Sequence, residues 1–482
     1  MRRGRSDAWG RRASAVALLG VAGLVLVVPA CAGRRLAPPY AVQPAGASFE
    51  GYPAIGVVQK SRILYETVGA STGRFADAPI RTIVQNSQRS TERLLVRARE
   101  VLPLEIAERA LPEPARGACP CAGEYGGGAG GPPTPARLTL LPDSDLAICA
   151  LLEQIATARC RIDLMMYGWE DDSTGREVAA ALCARAQAGV QVRLLVDRTA
   201  FLIHNAAAAR GDSTFLDALK AVPNIQVIEP RDPFFRLDHR KLAVIDDRVA
   251  WTGGMILTEV ARRRWHNFAF LAEGPITASY ADVFAERWAE LGGGPTIPCE
   301  ELARSQVEPN ATVRLLRTDI DHRSLKDAIY HAVDHAQHHI YLENPYFSDE
   351  ILTKKLVAAQ ARGVQVHAIL TLRGNMRQLN QFESLTANRL LRGGAHVYLY
   401  PVMTHVKAMS IDGAWAYIGT GNFDELSLRN NREVALSVCT PEVVRALDQT
   451  LFLPDMAICE PVVGLLPCPR NRLLLEFLSV WY

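Results

Sequence analysis

His239-Arg240-Lys241-Leu242-Ala243-Val244-Ile245-Asp246 and His405-Val406-Lys407-Ala408-Met409-Ser410-Ile411-Asp412 are two copies of one phrase. In each, Lys follows His by two positions and Asp follows it by seven; after six more residues come glycines, Gly253-Gly254 in the first copy and Gly419-Thr420-Gly421 in the second. A single match to His-x-Lys-x4-Asp-x6-Gly is within reach of chance in 482 residues. Two matches with the same internal spacing make duplication the simpler account. For one copy alone, the plain alternative is an exposed His beside a Lys on a strand.

The apolar runs Leu242 to Ile245 and Ala408 to Ile411 read as buried strands. Residues two apart on a strand share a face, so each His and its Lys project together from a strand edge. An ammonium beside an imidazole suits a phosphate: the Lys neutralises a non-bridging oxygen, and the His attacks phosphorus or donates a proton. The short glycine segment would let backbone N–H groups approach an oxyanion where a Cβ would intrude, which makes Gly254 and Gly421 candidate substrate contacts.

A second layer of repetition follows. Glu433 lies twenty-eight residues after His405, and Asn267 twenty-eight after His239. Asn422 lies seventeen after His405, and Ile256 takes the matching place after His239. The copies are therefore unequal. Upstream, Ala188-Gly189-Val190-Gln191-Val192 is echoed by Arg362-Gly363-Val364-Gln365-Val366, each closing a helix and opening a strand. A chain of 482 residues with 49% hydrophobic content can bury one large core or two. A net charge of +2 excludes a generic polyanion binder but leaves room for a local basic cleft.

Arg2, Arg3, Arg5, Arg11 and Arg12 precede the apolar stretch Ala13 to Val28, which is short for a membrane span and then meets Pro29-Ala30-Cys31. This predicts an export signal ending in a bacterial lipoprotein box, with Cys31 lipidated; ordinary cleavage or an uncleaved anchor are the alternatives, and Pro29 is atypical of such a box. Nine further cysteines in an exported chain leave at least one unpaired. Cys459 and Cys468 are the best expected disulfide, whereas Cys149, Cys160 and Cys183 read as small buried thiols. Cys119-Pro120-Cys121 lacks a second ligand pair, so no zinc site is expected there.

The order of the chain reads as a signal over 1–31, an extension with the linker Gly126 to Pro133 over 32–135, one half over 136–295, a second over 311–440, and a C-terminal tail over 441–482. Within the extension, Ser87 to Ala110 reads as helical. The first half alternates a helix around Leu146 to Ile155, a strand over Arg161 to Tyr167, a helix over Gly175 to Ala188 and a strand over Val190 to Val196. The second repeats that order over Ser324 to Gln337, His339 to Leu342, Asp349 to Arg362 and Val364 to Leu370. Strands alternating with amphipathic helices predict an α/β sandwich.

With its paired phrases, Thr252-Gly253-Gly254-Met255, Glu343-Asn344-Pro345-Tyr346-Phe347, and Ser427-Leu428 ahead of Glu433, the chain resembles the bacterial cardiolipin synthase branch of the phospholipase D superfamily over roughly Leu138 to Val438. The resemblance implies two pseudo-symmetric α/β repeats, each a mixed sheet flanked by helices, with the active site at their interface. It implies a phosphohistidine intermediate, a phospholipid substrate, and neither metal nor cofactor. His239, Lys241, Asp246, His405, Lys407, Asp412, Asn422 and Glu433 would be the catalytic set, with the two aspartates bracing strands. Glu433 would support the ring of His405. Tyr346 and Glu343 would line the cleft or belong to the core. Both motifs in one chain imply an active monomer, membrane-anchored in the cell envelope.

Ile256 and Asn267 depart from the family pattern, which has Asn and an acidic residue at these places. On that reading His239 lacks a carboxylate, stays neutral and acts as the nucleophile, while Glu433 favours the protonated, acidic form of His405. Two alternatives stand beside the phospholipid enzyme. One is an exported nuclease using Arg262-Arg263-Arg264-Trp265 in a nucleic-acid groove; the other is a tethered lipid-binding pseudoenzyme with a weakened first half. The chain also lacks the two N-terminal membrane helices of the main bacterial cardiolipin synthases.

Overall fold

A computed structural model describes residues 129–205, 214–233, 236–297, 299, 307–371, 374 and 377–467. The signal, Cys31, the helix expected over Ser87 to Ala110, Cys119, Cys121 and Cys468 lie outside the described residues.

The first repeat runs β1 (Thr134–Leu141), α1 (Ser144–Thr157), β2 (Arg161–Met166), α2 (Ser173–Gln187), β3 (Gln191–Val196), α3 (Arg198–His204), α4 (Phe215–Lys220), β4 (Ile225–Ile228), β5 (Lys241–Ile245), β6 (Val249–Gly253), α5 (Glu259–Arg264), β7 (Ala269–Glu273) and α6 (Ile276–Glu290). The second runs β8 (Ala311–Thr318), α7 (Ser324–His335), β9 (His339–Asn344), α8 (Glu350–Ala361), β10 (Gln365–Leu370), α9 (Arg377–Arg392), β11 (His396–Leu399), β12 (Ala408–Ile411), β13 (Trp415–Gly419), α10 (Glu425–Arg429) and β14 (Glu433–Val438).

Outward from the β1–β8 seam, the strand order is β1-β7-β6-β5-β2-β3-β4 on one side and β8-β14-β13-β12-β9-β10-β11 on the other. The pairing senses match strand for strand. Those nearest the seam are antiparallel, whereas β2-β3-β4 and β9-β10-β11 are parallel, each of the latter steps bridged by helical connections. The expected architecture, two α/β repeats with mixed sheets, is the one observed.

Both motif strands are buried on both faces, and their period of two sorts side chains between cores. Leu242 and Val244 of β5 and Ala408 of β12 enter a core shared by the repeats. Ala243 and Ile245 enter a core private to the first repeat, and Met409 and Ile411 one private to the second. The helix-to-strand turns close through Gly189 at φ +93° and Gly363 at φ +98°, a left-handed conformation that costs glycine little.

Asp246 and Asp412 end the motif strands at φ 56° and 57°. The Asp246 carboxylate accepts N–H bonds from Arg159, Cys160 and Arg161 at 2.8, 2.8 and 2.9 Å. Asp412 accepts from Gln337, His338 and His339, each at 2.8 Å. A whole strand, about 3.3 Å per residue, separates each Asp from its His-Lys end. They brace the strands as expected, tying β5 to the start of β2, and β12 to the start of β9, at the end opposite the His-Lys pair.

The cysteine expectations are corrected. Cys160 is bonded to Cys299, 139 residues away, rather than being a free thiol. Cys459, expected to pair with Cys468 outside the described residues, is a buried free thiol; Cys149 is free and exposed. The tail after 440 is folded over its described part: α11 (Pro441–Leu447), a π-helical turn (Asp448–Phe452), α12 (Leu453–Ile458) and β15 (Glu460–Pro461) beside β11. Leu447, Leu451 and Phe452 fill the shared core, an apolar payload that the helical spacing in this segment carried.

Candidate active site

Backbone pairing crosses between the repeats where the two motifs meet. His239 donates its N–H to the Arg432 carbonyl at 3.0 Å, and Arg432 donates to Leu237 at 2.9 Å. The mirror pairing runs from His266 N–H to Met403 at 2.9 Å and from His405 N–H to His266 at 2.6 Å. Each motif histidine is thereby fixed beside the residue that lies twenty-eight places after the other motif's histidine. His239 Nδ1 lies 2.7 Å from Glu433 Oε1, and His405 Nδ1 lies 3.2 Å from Asn267 Oδ1. The placement of Glu433 behind His405 is therefore corrected. The linear spacing was right, but the partner belongs to the opposite repeat.

His239, Lys241, His405, Lys407 and Glu433 are all buried. Lys407 Nζ donates to the His405 carbonyl at 2.9 Å and Lys241 Nζ to that of His239 at 2.5 Å, so each motif folds its ammonium back beside its imidazole. Burial pulls His239 down to about 4, against the upward pull of Glu433; Lys241 adds to the fall. Burial, helped by both lysines, drives His405 well below the ordinary imidazole range. Lys241 falls to about 7, through burial first, and Lys407 falls well below its ordinary range through burial and Lys241. Burial works upward on Glu433, but His239 and Lys241 outweigh it and hold the group ionised. The result is two neutral imidazoles and two destabilised ammoniums, a cluster that gains most by admitting an anion.

The remaining expected residues are distributed unevenly. The Gly254 N–H is spent on the Phe268 carbonyl at 2.9 Å, so it is not offered to an oxyanion. Glycine is required there because a Cβ would fall 2.3 Å from the His405 carbonyl. A Cβ at Gly421 would stand 3.1 Å from Leu325 and the Tyr417 hydroxyl. Tyr346 lies edge-on to His405, with ring centroids 6.4 Å apart. Asn422 is buried, and its amide bonds the buried carboxyl of Asp424. Ile256 belongs to the apolar core of the first repeat with Met255 and Leu257. Glu343 takes a hydrogen bond from the Thr404 hydroxyl and is part of the core beneath His405.

Tyr167 and His266 were not anticipated as site residues, and Trp265 was expected only in a nucleic-acid groove. Tyr167, one residue beyond β2, packs edge-on against His239 at 4.4 Å and lies under Lys241 at 4.8 Å. Trp265 lies 5.1 Å from the His405 ring. His266 Nε2 meets Asp455 Oδ2 at 2.6 Å and ties α12 to the back of the second motif. Tyr167 had a legible signal, since it follows a strand that repeats β9 and so mirrors the Tyr346 region; the other two depend on tertiary packing. In the arginine run, Arg262 pairs with Asp145 at 2.7 Å and Glu177 at 2.6 Å, and Arg263 with Asp145 at 3.1 Å.

Duplicated mixed sheets bringing two His-Lys phrases face to face define a phospholipase D-like protein. Residues 151–288 and 329–452, over half the chain, match the family described as cardiolipin synthase, PLD-like domain, and the chain belongs to that family. Cardiolipin synthase A of Klebsiella pneumoniae is 29% identical over 328 residues, covering 63% of this chain and 65% of that relative. The same enzyme of Salmonella arizonae is 28% identical over 347 residues, covering 67% and 68%. The chain thus spans about 65% of the length of the first of these relatives. Among solved structures, the phosphatidylserine synthase of Haemophilus influenzae shares the fold at a TM-score of 0.56 and 15% identity, covering 72% of this chain and 95% of that one.

Proposed function

We propose that this protein is a phosphatidyltransferase or phospholipase D that cleaves a phospholipid phosphodiester through a phosphohistidine on His239. The observation that carries this reading is the His239–Glu433 pair. Glu433 accepts the Nδ1 proton of His239, which leaves the Nε2 lone pair free for phosphorus and stabilises the positive charge the ring acquires on attack. This reverses the earlier reason for choosing His239, which had assumed that it lacked a carboxylate.

In the first half-reaction, His239 Nε2 forms a bond to phosphorus as the bond to the leaving alcohol breaks, and His405 gives that alcohol a proton. In the second, His405 takes the proton of water or of an acceptor alcohol, whose oxygen attacks phosphorus and releases His239. Lys241 and Lys407 meet the non-bridging oxygens. Arrival of the phosphodiester anion reverses the electrostatic pressure that keeps His405 neutral, and Asn267 Oδ1 accepts its Nδ1 proton throughout. Gly254, Gly421 and Tyr346 shape the pocket, and Asn422, with no counterpart at Ile256, makes it asymmetric.

Cardiolipin synthase relatives favour a phospholipid as substrate, and the spent arginines Arg262 and Arg263 weigh against a nuclease. The Cys160–Cys299 disulfide favours an oxidising compartment and hence export, consistent with a lipid anchor at Cys31 in the cell envelope. No helix among the described residues is long and apolar enough to cross a membrane. The deciding experiment incubates purified protein with phosphatidylglycerol, phosphatidylcholine and single-stranded DNA and identifies products. Release of glycerol or choline supports the lipid enzyme, cleavage of DNA alone the nuclease, and lipid binding without turnover the pseudoenzyme.

A further inference from the structure

Three polar atoms lacking a hydrogen-bond partner among the described residues gather beside the second motif: Glu383 Oε2, Asn344 Nδ2 and Asn422 Oδ1. Glu383, Asn344 and Asn422 are 1%, 0% and 5% exposed. An orphaned buried polar atom costs about 1–3 kcal/mol, so a group of them calls for a ligand or a reason.

Their placement is fixed by their other bonds. Asn344 ends β9, and its Oδ1 accepts the Phe423 N–H at 3.1 Å, which joins it to the segment bearing Asn422. Glu383, on α9, has its Oε1 3.3 Å from the N–H of Thr371, the residue after β10. The Thr371 hydroxyl in turn accepts the Thr404 N–H at 2.8 Å, next to His405. Asn344 and Leu370 are register partners across the parallel β9–β10 pair, so the groups share one end of adjacent strands. Tyr346, edge-on to His405 with centroids 6.4 Å apart, also feels the Glu383 carboxyl, which links the group to the second motif.

The chemistry of this group differs from that of the phosphate cluster. Burial drives the Glu383 carboxyl well above the ordinary range, which favours its neutral form, one O–H and one carbonyl. Together with two amides it offers donors and acceptors without net charge. That suits a hydroxyl, which both donates and accepts, better than a second phosphate or an ammonium.

We infer that Glu383 and Asn344 form a hydroxyl-binding subsite that receives the acceptor alcohol, a glycerol-like polyol, in the second half-reaction. The inference rests on the phosphatidyl-transfer reading above. Glu383 acts here as a specificity and positioning residue: by holding one hydroxyl of the polyol it places another for attack on phosphorus, in competition with water.

The test uses two arms. Phosphatidylcholine vesicles with increasing free glycerol report phosphatidylglycerol (transfer) against phosphatidic acid (hydrolysis), and phosphatidylglycerol vesicles alone report cardiolipin against phosphatidic acid. Glu383→Met removes the hydrogen-bonding atoms at similar volume and should lower the transfer-to-hydrolysis ratio about tenfold or more, with a raised KM for glycerol in the first arm. Asn344→Ala should move the ratio in the same direction, and Glu383→Gln should restore most of it. The thermal midpoint of Glu383→Gln, which keeps an acceptor for the Thr371 N–H, should stay at the wild-type value, whereas a structural carboxyl would lower it. A ratio shift in both arms assigns the subsite to glycerol units of either source; a shift in the first arm alone restricts it to free polyol, and in the second alone to the lipid head group. An unchanged ratio in both arms, equal losses of transfer and hydrolysis, or a wild type that only hydrolyses would overturn the subsite while leaving a phospholipase. A wild type that releases no head group in either arm would instead overturn the reading on which the subsite rests.

Discussion

His239 Nδ1 is 2.7 Å from Glu433 Oε1, although 194 residues and a repeat boundary separate them. Its pseudo-symmetric counterpart joins His405 to Asn267, a neutral amide, so the two halves of one duplicated site are chemically different. The carboxylate stands behind the histidine of the first repeat, and only that ring has a charged partner for the positive charge of a phosphorylated state.

On the proposed mechanism each histidine performs a different step of one cycle, so His239→Ala and His405→Ala should each remove nearly all turnover, and the double variant should be no worse than the poorer single one. Steady-state rates on a headgroup-release assay check this. Retention by either single variant of more than roughly a tenth of wild-type kcat would sink the two-histidine mechanism.

Glu433→Gln should lower kcat by roughly 10²–10⁴, because an amide N–H facing Nδ1 forces the tautomer whose Nε2 carries the proton. Asn267→Ala should cost His405 one acceptor and lower kcat less. Asn267→Asp should raise the basicity of His405 rather than that of His239. Trapping of radiolabelled phosphoprotein after acid-free quench separates the roles: Glu433→Gln should abolish the trapped intermediate, and its undiminished formation would refute His239 as nucleophile.

The pH profile follows from two groups. His239, at about 4, is neutral and nucleophilic above that pH, and Lys241, at about 7, loses its ammonium as pH rises through that value. In the free enzyme kcat/KM should therefore fall on the acid side near 4 and on the alkaline side near 7. The alkaline limb of kcat should lie higher, since bound phosphate stabilises the ammonium. Glu433→Gln removes an upward influence on His239, so the acid limb of its residual activity should move lower. A kcat/KM profile flat from 6 to 9 would remove Lys241 from phosphate binding.

Phosphate charge is met by Lys241 and Lys407, so turnover should survive excess EDTA. Loss on chelation, restored by zinc or magnesium, would contradict the proposed mechanism.

The Cys160–Cys299 bond ties the start of β2 to the segment after α6 across 139 residues of chain. Replacing both by Ala should lower unfolding free energy by about 2–4 kcal/mol, read from urea titration, and dithiothreitol should have a similar effect on wild type. In intact bacteria, palmitate labelling should be lost in Cys31→Ala. Unlabelled wild type would leave simple secretion.

Sequence alone determined the repeats, because duplication preserves spacing: the His-Lys pairs, the glycine-closed helix-to-strand turns at Gly189 and Gly363, and the strand and helix order are all local patterns with local causes. It also marked Glu433 and Asn267 as an unequal pair. Only the tertiary structure decided which histidine each one serves. Spacing along the chain suggested a partner in the same repeat, but the seam places the Arg432-Glu433 segment against Leu237 to His239 and His266-Asn267 against Met403 to His405. Likewise, nothing local distinguishes Cys160 from Cys149, or Glu383 from any other helix surface carboxylate. Those assignments come from burial and from partners 12 to 194 residues away, which a one-dimensional pattern does not encode.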